Sequence, residues 1–252
     1  MKKLIWPIDL VFLQKVDSTN QYARKYTYKK KNWIVIWSMN QTQGIGGNGN
    51  LWHTEKDKNL TFSIIFKPIN PFPIKKKYII SVMTSNAIHK SLLSFCNQKE
   101  IFIKWPNDIF LCDKKIGGIL IENSLFFKQI HTSIIGIGLN IHQTKLKKEW
   151  NASSLKKIFH MNFELYDLFY KIIFFIQKEY LLFTIHGENL LRKYYIDHLY
   201  LRDKISLFYI YKIKKFILGT IRSITDQGFL IIEFNNNFYF FSQKEIKFFQ
   251  LI

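Results

Sequence analysis

Apolar and polar positions change their period several times along the chain, and each change marks an element. Ser18-Thr19-Asn20 supplies side-chain oxygens that can take the free N–H groups of a helix start, predicting a helix over 21–26. The run 33–37 is short and apolar, as a buried strand is, and 60–66 alternates with a strand's period of two. A glycine-rich loop, Gly44 to Gly49, lies between them. In 79–95, Ile80, Met83, Ala87, Ile88, Leu92 and Phe95 fall at helical spacing, and 101–105, 116–122 and 133–141 read as three successive strands. The clearest helix follows, with Leu165, Leu168, Phe169, Ile172, Ile173 and Ile176 on one face. After residue 200 only short β-like runs remain (205–210, 216–223, 228–234 and 237–241), divided by Asp226-Gln227-Gly228 and Asn235-Asn236-Asn237. The pattern predicts an α+β domain over 1–200 and a small all-β barrel or sandwich over 201–252.

Composition narrows this picture. With 48% hydrophobic and 17% aromatic residues in 252, the chain has ample material for a core, which excludes wholesale disorder. Two cysteines, Cys96 and Cys112, form no close pair; two buried thiols in a reducing compartment are expected. The apolar stretch after Lys2 and Lys3 is broken by Pro7 and Asp9, so no signal peptide is expected. The apolar segment 168–185 carries Lys171, Lys178 and Glu179, which excludes it as a membrane span and leaves a cytoplasmic protein as the expectation. The net charge of +19 raises nucleic acid as a partner. Only Arg24, Arg192, Arg202 and Arg222 are arginines, however, and the planar fork used for base edges is therefore scarce. The lysines suit either the drift of an AT-rich genome or a polyanion-binding surface.

Four segments interrupt the apolar strands. Gly44-Ile45-Gly46-Gly47-Asn48-Gly49-Asn50-Leu51-Trp52 can bring backbone N–H groups to an anion, but it is neither a P-loop nor a helix-opening dinucleotide fingerprint, and a surface loop accounts for it equally. Lys104-Trp105-Pro106-Asn107-Asp108 is either a turn or a lysine and carboxylate beside a wall-forming tryptophan, able to engage a triphosphate and Mg²⁺. Lys115 before Gly117-Gly118 is either a solvated gatekeeper or the mark of a ligand lying close to a strand. In Gly136-Ile137-Gly138-Leu139-Asn140, glycines again thin a strand that ends on an asparagine.

Taken in order, Asp17-Ser18-Thr19-Asn20, Gln41-Thr42-Gln43-Gly44 with the glycine loop to Trp52, Lys104 to Asp108, Lys115 to Glu122, and Gly136 to Asn140 resemble the biotin–protein ligases. The likeness extends to the tail, where Gly219 to Ser223, Asp226 to Leu230 and Glu245-Ile246 resemble the family's SH3-like barrel. It implies a class II synthetase-like mixed sheet with flanking helices, followed by that barrel. It also implies ATP-dependent transfer of biotin, through biotinyl-5′-AMP, to a lysine of a carrier such as the biotin carboxyl carrier domain of acetyl-CoA carboxylase.

By the same resemblance Lys115 is the catalytic cation, and Ser18, Thr19, Asn20, Gln41, Gly117 and Gly118 hold biotin. Gly44, Ile45, Gly46, Gly47, Trp52, Lys104, Asn107, Asp108 and Asn140 hold ATP or the adenylate, with Asp108 on Mg²⁺. The family commonly has arginines in the glycine loop, whereas Ile45, Gly47, Asn48 and Asn50 stand here. Weaker retention of the adenylate is the expected consequence. The Ser-Thr-Asn motif begins after 17 residues, too few for the DNA-binding domain some members carry, so no specific DNA binding is expected. Exposed strand edges either pair into a homodimer or receive the carrier. A lipoate–protein ligase, a basic nucleic-acid-binding module and a decayed ligase that only holds biotin are the competing readings.

Overall fold

The computed structural model describes residues 3–26, 31–95 and 100–249. Its elements run β1 (Asp9–Leu13), α1 (Thr19–Lys25), β2 (Trp33–Ser38), β3 (Gly44–Ile45), β4 (Leu51–Trp52), β5 (Asn59–Phe66), β6 (Phe72–Pro73), α2 (Tyr78–Leu93), β7 (Ile101–Lys104), β8 (Asp108–Leu111), β9 (Lys114–Phe126) and β10 (Gln129–Asn140). There follow α3 (Leu155–Phe159), α4 (Leu165–His186), α5 (Asn189–Asp197), β11 (Ile205–Ile210), β12 (Lys215–Ile224), β13 (Leu230–Phe234), β14 (Asn237–Phe241) and β15 (Ile246–Phe249).

The large sheet has the order β1-β2-β5-β10-β9-β8-β7, with β6 added beside β10. It is mixed: β1 lies parallel to β2 and the remaining ladders are antiparallel. Alternation along β5 puts Leu60, Phe62, Ile64 and Phe66 into the main core with residues of α2, α4 and α5. The opposite face carries Thr61, Ser63 and Ile65, and Ile65 packs with Ala23 of α1, Ile34, Ile36 and Ile134. All eight residues of β5 are buried, so the expected alternation separates two covered faces rather than core from solvent.

A second sheet of five antiparallel strands, β14-β13-β12-β11-β15, follows. Phe241 and Ile246 from its two edge strands are buried, as are Phe208, Ile210, Ile221 and Ile232 from the middle, the wrapping of a small barrel. It docks through specific bonds: Trp105 Nε1 donates to Gly228 O at 2.9 Å, and the Arg192 guanidinium donates to Thr225 O at 3.3 Å and Asp226 O at 2.9 Å. Gly228, at φ +89°, lies against the Tyr78 ring, where a Cβ would collide.

Several elements have no counterpart in the expected pattern: β1, the two-residue strands, α3, α5, β8 and β15. Each is short or carries polar residues on an edge. The expected pair of buried thiols also needs correction. Cys112 sits half-buried in the β8–β9 turn at φ 47°, its Sγ donating to Glu100 Oε2 at 2.9 Å; partial burial, with the neighbouring Glu100, pushes the thiol up to about 11. Cys96 lies outside the described residues. Among the described residues, no helix is long and apolar enough to cross a membrane.

Candidate active site

The α1 face of the large sheet opens into a cleft because small residues occupy it: Thr61 on β5, Gly118 on β9, Gly136 and Gly138 on β10. The start of α1 forms one wall. Ser18 caps the helix by accepting the Gln21 N–H at 3.4 Å, and Thr19 and Asn20 are buried beneath it. Gln41 joins this wall, its Oε1 accepting the Thr19 N–H at 2.9 Å with the Thr19 hydroxyl at 3.2 Å. The space a side chain at Gly136 would need is taken by the Asn20 amide, and that at Gly138 by the Trp52 ring.

The glycine loop forms the roof. β3 and β4 pair as a hairpin closed by a short 3-10 turn, Gly47–Gly49, with Gly46 N–H donating to Asn50 O at 2.7 Å. Trp52 from this hairpin covers the cleft so closely that about 60 Å³ stays free, far below the ~300 Å³ at which ligand pockets begin. Trp52 Nε1 is buried without a partner, an unused donor in the roof.

Charge enters from the β8–β9 side. The ladder slips between Ile109 and Phe110, so that Phe110 pairs with Lys115 and Ile109 with Gly117, leaving Ile116 as the extra residue of a bulge. Lys115 is held by its backbone to Asn151 O at 3.0 Å and Ser153 N–H at 2.9 Å, while its Nζ reaches Asp108 Oδ1 at 2.7 Å. Asn107 Nδ2 donates to Ile119 O at 2.5 Å. Among the described residues, Lys115 is the single cation lining the cleft. It also lines a second cavity of about 530 Å³ with Trp52, Asn50, Leu51, His53, Asn140, Leu146, Trp150 and Ala152, where the His53 and Trp150 rings stack at 4.5 Å.

The structure thus brings Ser18, Thr19, Asn20, Gln41, Ile45, Gly46, Gly47, Trp52, Asn107, Asp108, Lys115 and Gly118 around one cleft. Asn140 belongs to the second cavity, where its Nδ2 donates to Ser153 O at 3.1 Å and its Oδ1 accepts from Asn59 at 3.2 Å. Gly44 lies behind the roof against Trp52 and Gln41. Gly117, one residue out of phase with Gly118, faces Leu139 and Ile109 on the core side.

Lys104 and Trp105 line neither cavity. Lys104 has its Nζ 4.4 Å from the Phe110 ring and 5.1 Å from the Phe248 ring, and burial lowers its pKa although Asp108 opposes the shift. Trp105 is no wall of the cleft, because its indole serves the joint to Gly228. Thr61 lines the cleft and was missed; it and Ser63, a hydroxyl-bearing pair on one face of an apolar strand, were the available signal. For Mg²⁺, Asp108 is the one carboxylate on the cleft, and no group of three or more His, Cys, Asp or Glu exists among the described residues. That donor set suits a Mg²⁺ delivered with a nucleotide, whose phosphates supply most ligands.

Residues 12–140 match the biotin/lipoate A/B protein ligase family, a segment that contains every residue of the cleft. The chain belongs to that family. Relatives include the bifunctional ligase/repressor BirA of Bacillus spizizenii, 27% identical over 135 residues (53% of this chain, 41% of the relative), and that of Bacillus subtilis, 31% identical over 103 residues (41% and 31%). The chain therefore spans less than half the length of these curated relatives. Among solved structures, biotin protein ligase from Aquifex aeolicus in complex with biotin and ATP superposes with a TM-score of 0.79 at 19% identity, covering 96% of this chain and 99% of that one. This likeness takes in the C-terminal sheet, beyond the segment that the family match reaches, and shows a shared fold throughout.

Proposed function

We propose that the protein is a biotin–protein ligase, activating biotin with MgATP as biotinyl-5′-AMP and passing the biotinyl group to a carrier lysine. One observation carries the reading: Lys115 lines both the small polar cleft and the larger cavity, which is where a cation must stand to serve a carboxylate bound in one and an α-phosphate bound in the other. In the first step a biotin carboxylate oxygen bonds to the α-phosphorus as the bond to the bridging oxygen breaks and pyrophosphate leaves. In the second a carrier lysine amine attacks the acyl carbon, AMP leaves, and the amine gives up a proton. Both steps build negative charge within reach of Lys115.

Placement around the two cavities supports the remaining roles. Ser18, Thr19, Asn20, Gln41 and Gly118 contact biotin; Ile45, Gly46, Gly47, Trp52, Asn107, Asp108 and Asn140 contact the adenylate, with Asp108 beside the nucleotide's Mg²⁺. A wall of hydroxyl and amide groups suits a ureido ring with N–H and C=O edges better than the dithiolane of lipoate, which offers neither. All four arginines are tied to carboxylates of the chain, Arg24 to Glu122, Arg192 to Glu188, Arg202 to Asp197 and Arg222 to Asp203 and Glu233, which disfavours a nucleic-acid module. The carrier is a biotin carboxyl carrier domain met in the cytoplasm, received at a sheet edge such as β1, where Leu10 and Phe12 are exposed, or at an edge shared with a second copy. A division near residue 200 separates the catalytic domain from the barrel. Incubation with biotin, MgATP and a carrier domain should give one biotinyl adduct by intact mass; its absence, with an active control ligase succeeding, refutes the reading.

A further inference from the structure

Behind the cleft wall, Ser63 is not part of the cleft lining yet anchors a buried polar network. It is fully buried on β5, and its Oγ lies 2.7 Å from Thr19 Oγ1 and 2.6 Å from Asn20 Oδ1. Thr19 Oγ1 is in turn 3.2 Å from Gln41 Oε1, which already accepts the Thr19 N–H. On the other side Asn20 Nδ2 donates to Glu122 Oε2 at 3.4 Å, and the Arg24 Nε, at 2.9 Å, clamps that carboxylate. An ionised carboxylate only accepts, so Glu122 decides which end of the Asn20 amide faces it and turns Oδ1, an acceptor, towards Ser63.

The protons can then be counted. The contacts Ser63–Asn20, Ser63–Thr19 and Thr19–Gln41 share two hydroxyl protons, and neither amide oxygen has one to give. Ser63 gives its proton to Asn20 or to Thr19. Two protons satisfy at most two of the three contacts, and in every arrangement that satisfies two the Thr19 proton points inward, to Ser63 or to Gln41. Only lone pairs of Thr19 Oγ1 then face the cleft.

We infer that Ser63 is a positioning residue that makes Thr19 an obligate acceptor towards the cleft, so that the site selects a ligand presenting a ring N–H there. This rests on the ureido ligand of the proposed function and adds the residue that sets its polarity. Without Ser63 the Thr19 proton keeps only the long contact to Gln41 Oε1, an oxygen shared with a backbone N–H, and can rotate to the cleft.

The test is calorimetric titration of the wild type and Ser63→Ala with biotin and with two cyclic carbamate analogues, each replacing one ring N–H by oxygen. Ser63→Ala should weaken biotin about tenfold. The carbamate whose oxygen meets Thr19 should bind as well as before or better, so the preference for biotin over it shrinks at least tenfold. Unchanged preferences, including an equal loss for all three ligands as a packing defect would give, overturn the inference. Should the alanine variant not fold, Ser63→Cys, a weak donor of similar shape, should shift the same preference part of the way; no shift overturns it equally. A wild type that binds no biotin refutes the proposed ligand and this inference together, whereas binding with unchanged preferences refutes the role of Ser63 alone.

Discussion

The two faces of the large sheet are made by the same strands and behave oppositely. On the helix side β5 and β10 present Phe62, Ile64, Ile135, Ile137 and Leu139 to a closed apolar core. On the α1 side the intervening positions are Thr61, Ser63, Gly136 and Gly138, with Gly118 alongside on β9. A period of two lets one strand serve both purposes, and the cost of thinning one face is borne by the packing of the other. A substitution should therefore read as stability on one face and as chemistry on the other.

Phe62→Ala offers the largest effect. It should cost about 3–5 kcal/mol in urea unfolding, since a fully buried ring leaves a cavity, while biotin affinity of the folded fraction holds. A loss of affinity with little loss of stability would break the contrast. Lys115→Gln should do the reverse, slowing carrier biotinylation by about 10²–10³-fold. Its stability should stay within ~0.5 kcal/mol, because the ion pair to Asp108 is partly solvated and worth little. A variant with undiminished single-turnover rate would remove Lys115 from the chemistry.

A smaller effect sharpens the helix side. His89 of α2 is buried between Ile101 O and the Tyr194 hydroxyl, and burial is the main cause that lowers its pKa to about 4. Because the folded value lies below the unfolded one near 6.5, its contribution is intact above pH 6.5 and lost as pH falls towards 4. Comparing urea unfolding at pH 7 and pH 5, the wild type should lose about 2 kcal/mol more than His89→Gln. Equal losses would mean that His89 does not stay neutral. Smallest is Ile45→Arg in the roof, where no arginine now stands: it should slow release of biotinyl-5′-AMP about tenfold by adding a charge-assisted contact. Unchanged retention would show that the roof does not need the charge.

Strong periodicity made the main elements readable, from α1 with its Ser18 cap to α4, and 205–210 and 237–241 agree with β11 and β14 to the residue. The weak places were short strands with little pattern to detect, β8 among them. Most of the cleft was readable because glycines and polar residues inside apolar strands need a reason. The Lys104 to Asp108 motif, a single run in the sequence, is split by the fold: Asp108 turns to the cleft, while Lys104 and Trp105 turn to the barrel.

By itself the sequence determined the order of the main elements, the change to short strands after residue 200 and the residue types gathered for anion chemistry, since all of these are local in the chain. Tertiary structure alone decided which face each residue served. The bulge at Ile116 aims Lys115 between two cavities, the Trp52 roof leaves little free space, and Ser63 is set behind Thr19 from 44 residues away. Each of these depends on register and on contacts between distant segments, and a shift of one residue along a strand exchanges its core and cleft faces.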